Sequence, residues 1–400
     1  MGKLRNRDFV VIGGGIIGIN IARELKSRYT DARILVLEKE ASSAEHASGR
    51  NSGVLHAGFY YTADSLKARF TRDGNRQLTE YCEDRGIPIN KCGKLVVAKD
   101  EQEDAVLDEL LRRASDNGVS LEEISDVEAR EIEPRAKTYR RALFSPTTSS
   151  ANPVKVIEAM KDDALSEGIE ISYCDGYQGR KNGYLRTSKG TITAGYVVNA
   201  AGLYAEKVAK DYGFGRRYTI LPFKGLYLKS SEPAGAYRTH IYPVPDLRNP
   251  FLGVHVTVQV DGRAKIGPTA IPAFWREHYQ GFENFRVDEF LDVISRSLGL
   301  LTRDPDFRRL AATEIRKYSR GHLVELAKTL SSGIDVSDFR HWGAPGIRAQ
   351  LFDVERRRLE MDFVLEGDDK SMHVLNAVSP GWTCALPFSG YVVDNIAEHL

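Results

Sequence analysis

Three glycines, Gly13, Gly15 and Gly18, follow the apolar run Phe9–Ile12 at G-x-G-x-x-G spacing, and a carboxylate, Glu38, comes 20 residues after the last of them. Glycines so placed suit a phosphate-bearing ligand. Gly13 permits a tight turn, Gly15 lets a pyrophosphate approach the backbone, and Gly18 lets a helix pack closely on a strand. The helix N-terminus then turns free N–H groups and the positive end of its dipole toward the phosphates. Glu38 can accept hydrogen bonds from an adenosine ribose, and an acid there followed by Lys39 disfavours the extra phosphate of NADP. Two histidines add acid–base potential, because their unperturbed pKa lies near the working pH. His56 stands in the stretch Ala47–Tyr61, where Asn51 and Ser52 offer further hydrogen bonds and Gly49, Gly53 and Gly58 let the backbone lie against something flat. His255 stands mid-strand, sharing a face with Gly253 and Thr257 while Val254 and Val256 point the other way.

The elements that position these residues read as follows. Phe9–Ile12 and Ile34–Leu37 are strands buried on both faces, joined by a helix from Ile16 to Lys26 with Ile17, Ile21 and Leu25 on one side. Asp104–Asn117 and Val154–Glu167 are helices, and Ile169–Tyr173 is a strand. Gly195–Ala201 is a strand running into Gly202, a small-residue turn at a sheet's carboxyl edge. From Leu221 to about 340 the pattern changes. Pro222–Leu228 and Phe251–Val260 alternate as antiparallel strands, and Val287–Ser297, Phe307–Ala312 and Gly321–Leu330 are helical. Met372–Leu375 is a strand, and Ser379–Thr383 opens a last helix.

Composition bounds the rest. A chain of 400 residues implies two domains or lobes. Lys plus Arg number 56 against 55 Asp plus Glu, which argues against a nucleic-acid binder held by phosphate contacts. The four cysteines, Cys82, Cys92, Cys174 and Cys384, lack C-x-x-C spacing and read as reduced thiols, with no zinc site or other metal expected. No apolar run is long enough to span a bilayer. The expected location is cytoplasmic. Peripheral contact with the inner face of the membrane is the alternative, through Lys3–Arg7 and the run Arg308, Arg309, Arg316, Lys317, Arg320 beside Leu310, Leu323, Val324, Leu326 and Leu330. A helix packed on its own domain is the favoured reading of that stretch.

The phrase Arg50–Tyr61, RNSGVLHAGFYY, followed by Ser65–Arg69, resembles the L-2-hydroxyglutarate oxidase/dehydrogenase family of the D-amino-acid oxidase and glycine oxidase superfamily. The resemblance continues at Cys92–Leu95, Glu131–Pro134, Asn199–Gly202, Phe251–Thr257, Gly267–Pro268 and Gly346–Gln350. It departs from the family's phrases at Arg50, Lys224, Leu226 and Trp382. The resemblance implies an α/β fold: a Rossmann-like, doubly wound parallel sheet binding FAD, with a second, α+β substrate domain on a mixed or antiparallel sheet. The expected division is 1–86, 148–220 and 341–400 for the first and 87–147 and 221–340 for the second.

It further implies oxidation of a 2-hydroxy acid by hydride transfer to FAD held non-covalently, with L-2-hydroxyglutarate as leading substrate and oxygen or quinone as electron acceptor. An amine or amino-acid oxidase, and a flavin-binding subunit without turnover, are the alternatives. The expected cofactor residues are Gly13, Gly15, Ile16, Ile17, Gly18, Glu38, Lys39, Asn51, Ser52, Gly53, Val54, His56, Tyr177, Ala200, Ala201, Gly202, Arg348, Ser379, Gly381, Trp382 and Thr383. Tyr60, Lys224, Tyr242, His255 and Arg348 are expected at the substrate, with His255 as the base and His56 as the next candidate.

Overall fold

The computed structural model describes residues 5–246, 251–303 and 305–400. The chain forms two units. The first comprises Met1–Asn51, Pro153–Ile220 and Ala349–Leu400, the second Ser52–Asn152 and Leu221–Arg348. Residues 52–86, placed by the sequence reading with the glycine motif, fall in the second unit. There Val54–Leu55 pairs with Ser149–Ala151, and the helix Leu66–Asp84 follows.

The first unit is built on parallel strands. Arg5–Ile12 lies between Gly190–Asn199 and Ile34–Leu37, with Val11 opposite Val198 and Val36. Glu170–Ser172 extends the sheet beyond Ile34–Leu37, and Ser371–Asn376 pairs in parallel with the end of Gly190–Asn199. An antiparallel hairpin, Tyr177–Lys181 and Tyr184–Thr187, closes the other edge. Ile34–Leu37 is buried throughout, as an apolar run covered on both faces requires. The helix Ile16–Arg28 packs on Pro153–Ser166 and on Ala385–Ala397. Residues 379–384 form turns and the last helix begins at Ala385, later than the sequence implies. Gly381 donates to Val378 and lies so close to Ala377 that a Cβ would sit 2.2 Å from its carbonyl oxygen, which fixes a tight turn ahead of the helix.

The second unit is built on a mixed eight-stranded sheet, ordered His341–Trp342, Leu228–Lys229, Ala264–Gly267, His255–Val258, His240–Pro243, Lys94–Val97, Arg141–Ser145, Glu122–Ser125. His240–Pro243 and Lys94–Val97 are parallel, with His240 opposite Lys94. The predicted strand Phe251–Val260 is paired only over His255–Val258, because its partner ends at Gly267 and Pro268 has no N–H to continue the ladder. Pro222–Leu228 is interrupted as well: one strand ends at Gly225 and the next begins at Leu228.

Alternation of side chains divides this sheet. Leu95, Ile241, Val256 and Ile266 point into one core with Leu323, Val324, Ala327 and Leu330. Those leucines are therefore core, and Leu326 packs against the same cluster, so this helix face is not a surface; Lys3 and the Leu310 side chain lie outside the described residues. The opposite sheet face carries Val96, which packs with Phe59, Tyr60, Leu107 and Leu110. Leu107 and Leu110 belong to the helix Glu101–Asn117, which Asp100 caps by accepting from Glu103 N–H and which Gly118 ends in the left-handed region. No helix among the described residues is long and apolar enough to cross a membrane.

Candidate functional site

In the first unit the glycine turn is closed around backbone. Gly13 has φ +111, and a Cβ there would lie 2.4 Å from the Ala200 carbonyl oxygen; a Cβ on Gly18 would lie 2.0 Å from that of Gly13. Only glycine fits either position. The helix opening at Gly15 has no side-chain cap and no acid in its first turn, and its Ile16 N–H donates to Ser48 Oγ at 3.0 Å. The buried Glu38 carboxylate accepts from Gly14 N–H and Glu40 N–H, each at 2.9 Å. Ala200 N–H donates to Ile12, and Ala201 N–H to the Asn199 side chain, so the small-residue turn 200–202 stands beside the glycine turn. Trp382, in the turn before the last helix, keeps a buried indole N–H without a protein partner.

The second unit gathers its polar side chains on one sheet face. His255 stacks on Tyr242 with centroids 3.8 Å apart and planes at 10°, and its Nδ1 lies 3.0 Å from Thr257 Oγ1. His240 is wholly buried; its Nδ1 accepts the Val258 N–H at 3.0 Å, which puts its proton on Nε2, 3.4 Å from Cys92 Sγ. Lys94 Nζ is buried without a hydrogen-bond partner and lies 4.5, 4.6 and 5.0 Å from the ring centroids of Phe59, Tyr60 and Tyr242. Lys265 donates to the Ser52 carbonyl at 3.1 Å and lies 4.6 Å from the Tyr227 ring centroid.

These groups act on one another in a dry setting. Burial, then the charges of Lys94 and His240, holds His56 well below the ordinary histidine range. Burial, then His56, His240, Lys94 and Lys265, does the same to His255. Burial first, with the charges of Lys94 and Lys265, pushes His240 to about 3, and burial alone brings Lys94 to about 7. Lys265 falls to about 8, again mainly through burial. With the imidazoles held neutral, the positive charge of this dry cluster is that of Lys265 and, in part, Lys94, a setting that suits an anionic small molecule.

The structure brings His56, Tyr60, Tyr242 and His255 of the sequence expectations into this cluster. Lys224 and Arg348 belong to a second group in the same unit. Arg348 lies 5.0 Å from the Phe251 ring centroid, Phe251 packs on Phe223, and burial first, then the charge of Lys224, brings His278 to about 4. Burial brings Lys224 to about 8 and Arg348 to about 10. Ser52, Gly53 and Val54 belong to the second unit, where the Gly53 carbonyl accepts from Ala151 N–H. Asn51 spends its amide on the Ala47 and Ser48 carbonyls, and Lys39 pairs with Glu40. Tyr177, on the edge hairpin, donates to Asp211 and packs against the core cluster that holds Ile12 and Leu37. Ile17 accepts from Ser389 of the last helix, while Ser379, Gly381 and Thr383 form the turns before it.

Sequence reasoning missed Ser48, Lys94, Tyr227, His240 and Lys265. For His240 a signal existed. His240-Ile241-Tyr242 alternates, which puts the imidazole and the phenol on one face and the isoleucine on the other.

The FAD dependent oxidoreductase family model matches residues 8–394, and the chain belongs to that family. Within it the chain is 35% identical over 396 residues to the L-2-hydroxyglutarate dehydrogenase of Escherichia coli (strain K12), covering 97% of this chain and 93% of that protein. It is 35% identical over 420 residues to the mitochondrial L-2-hydroxyglutarate dehydrogenase of Homo sapiens, covering 98% and 89%. In fold it is similar to the L-alpha-glycerophosphate oxidase of Mycoplasma pneumoniae with FAD bound, at TM-score 0.77 and 20% identity over 98% of this chain and 95% of that one. The cofactor is FAD. The residues present fit it: the glycine turn leaves no room for a side chain, the helix opens on a glycine with no acid in its first turn, Glu38 stands at the turn, and Trp382 keeps a buried donor unused.

Proposed function

We propose that this chain oxidises the hydroxyl-bearing carbon of L-2-hydroxyglutarate to the 2-oxo acid. The observation that carries the reading is His255: a buried imidazole, fixed by Thr257 and Tyr242, kept neutral first by burial and then by the groups around it. FAD, when bound, supplies the hydride acceptor. With Nδ1–H donating to Thr257, His255 Nε2 carries the lone pair that takes the substrate's hydroxyl proton. Lys224 and Arg348, both desolvated, hold substrate carboxylates, with Arg348 presenting a two-pronged donor. Tyr60 adds a buried phenol without a protein partner. Gly13, Gly15, Gly18, Glu38 and the Ala200–Gly202 turn hold the dinucleotide. The electrons leave to oxygen or a quinone.

Anaerobic mixing tests the substrate. L-2-hydroxyglutarate should bleach the oxidised flavin band, while its D-enantiomer, L-lactate and amino acids leave it unchanged or bleach it far more slowly. Bleaching by an amino acid and not by any 2-hydroxy acid overturns the reading in favour of an amine oxidase. Bleaching by none of them leaves a flavin-binding subunit. Reoxidation by air set against a soluble quinone then decides the acceptor.

A further inference from the structure

A lysine on the inner face of a sheet, with no hydrogen-bond partner, works against folding. Position 94 is such a place. Lys94 is 0% exposed, its neighbour on the same face is the core residue Val96, and its ammonium meets three aromatic rings and no anion. An aliphatic side chain would fill the space. One of the three rings, Tyr242, is also the ring on which His255 stacks.

We propose that Lys94 is a positioning residue for His255: its ammonium, enclosed by Phe59, Tyr60 and Tyr242, holds the imidazole on Tyr242 in the proton-accepting form. The proposal rests on the reading of His255 as the base. Lys94 is wholly enclosed and acts through Tyr242 and through space. Nζ lies 5.0 Å from the Tyr242 centroid and the His255 ring 3.8 Å from it, which caps their separation at about 9 Å. A unit charge at that distance, at an effective dielectric of about 20, moves an imidazole titration by roughly one pH unit. The other groups facing His255 are His56 from the loop after Val54–Leu55, His240 and Tyr242 from its neighbour strand, Lys265 from the strand on the other side, and Tyr227. Of these Lys265 is the one other cation, and its ammonium is solvated in part by its bond to the Ser52 carbonyl and its contact with Tyr227. Lys94 has no such polar partner, so its charge is the less compensated of the two.

The test reads the imidazole itself. In flavin-loaded protein labelled with 15N-histidine and without substrate, the His255 ring is assigned by its loss in His255→Asn, and its titration is followed in wild type, Lys94→Met and Lys94→Arg. Lys94→Met should raise the His255 midpoint by about one pH unit, and Lys94→Arg, which keeps the charge, should leave it in place. Lys94→Gln replaces the Met variant if that one loses its flavin. An unchanged midpoint in the neutral variants overturns the proposal. With L-2-hydroxyglutarate, the acid limb of the flavin-reduction rate should move by the same amount. A ring that shifts while the rate profile stays still leaves Lys94's action on His255 standing and removes His255 as the base.

Discussion

Replacing Lys94 by Met should make the second unit more stable at pH 6, and the gain should vanish as pH rises. Burial lowers the ammonium's pKa from 10.5 to about 7. A difference of that size, at about 1.4 kcal/mol per pH unit, sets a penalty of roughly 5 kcal/mol on keeping the charge in the folded state. Removing the charge relieves up to about that amount at pH 6, which is on the order of ten degrees in the melting temperature of a unit this size. The sign follows from proton counts. Below about pH 7 both folded and unfolded lysines are protonated and the penalty is full. Between about 7 and 10.5 the folded state loses its proton first, so the wild type gains stability with pH and closes on the variant. Melting curves of wild type and Lys94→Met, recorded by circular dichroism from pH 6 to 9.5 at constant ionic strength, measure the gap. A variant no more stable than wild type at pH 6, or a gap that does not change with pH, refutes the reasoning.

His255→Asn should retain FAD and fold, yet reduce its flavin about a hundredfold more slowly at saturating L-2-hydroxyglutarate, whereas Lys224→Met should chiefly raise the substrate concentration needed; stopped-flow reduction separates the two, and an unslowed His255→Asn passes the base to His56. Gly13→Ala puts a Cβ 2.4 Å from the Ala200 carbonyl oxygen at φ +111, so the purified variant should lose its yellow colour, and flavin content at the wild-type level refutes this use of the turn. Acid precipitation should leave the FAD in the supernatant, and colour that stays with the pellet shows a covalent link.

The first unit was legible because its signals are local. Apolar runs such as Ile34–Leu37 have one use, and the glycines of residues 13–18 sit where a Cβ would strike backbone less than 3 Å away at two of the four positions. The edges of elements were less legible, because they depend on partners far off in sequence: His255–Val258 stops where Gly267–Pro268 stops its neighbour. The same reason hid most of the cluster around His255. Lys94, His240 and Lys265 are ordinary residues in sequence, and only the register of four strands puts them on one face and dries them. Ser48 was hidden differently: a serine in a glycine-rich stretch is unremarked until its hydroxyl is seen to take the first N–H of a helix 32 residues earlier. The departure at Lys224 was visible, and the structure gives it a buried place with its pKa brought to about 8.

The order of strands also governs when the protein can be finished on the ribosome. The sheet that starts with Arg5 takes its last parallel strand from Ser371–Asn376, and the helix beside Ile16–Arg28 from Ala385–Ala397. The second unit likewise sets Lys94–Val97 beside His240–Pro243. Its site face stays open until residue 267 has left the exit tunnel, and the cofactor's own unit stays open until nearly the whole chain has been made. At about 5–20 residues per second, the apolar strand Ile34–Leu37 waits for tens of seconds without its full cover. Pairings so distant in sequence close slowly, and the nascent chain is exposed to aggregation throughout that interval. Loss of the segment 371–397 should therefore deprive the cofactor's unit of the partners that complete it, even though the glycine motif itself lies within the first thirty residues.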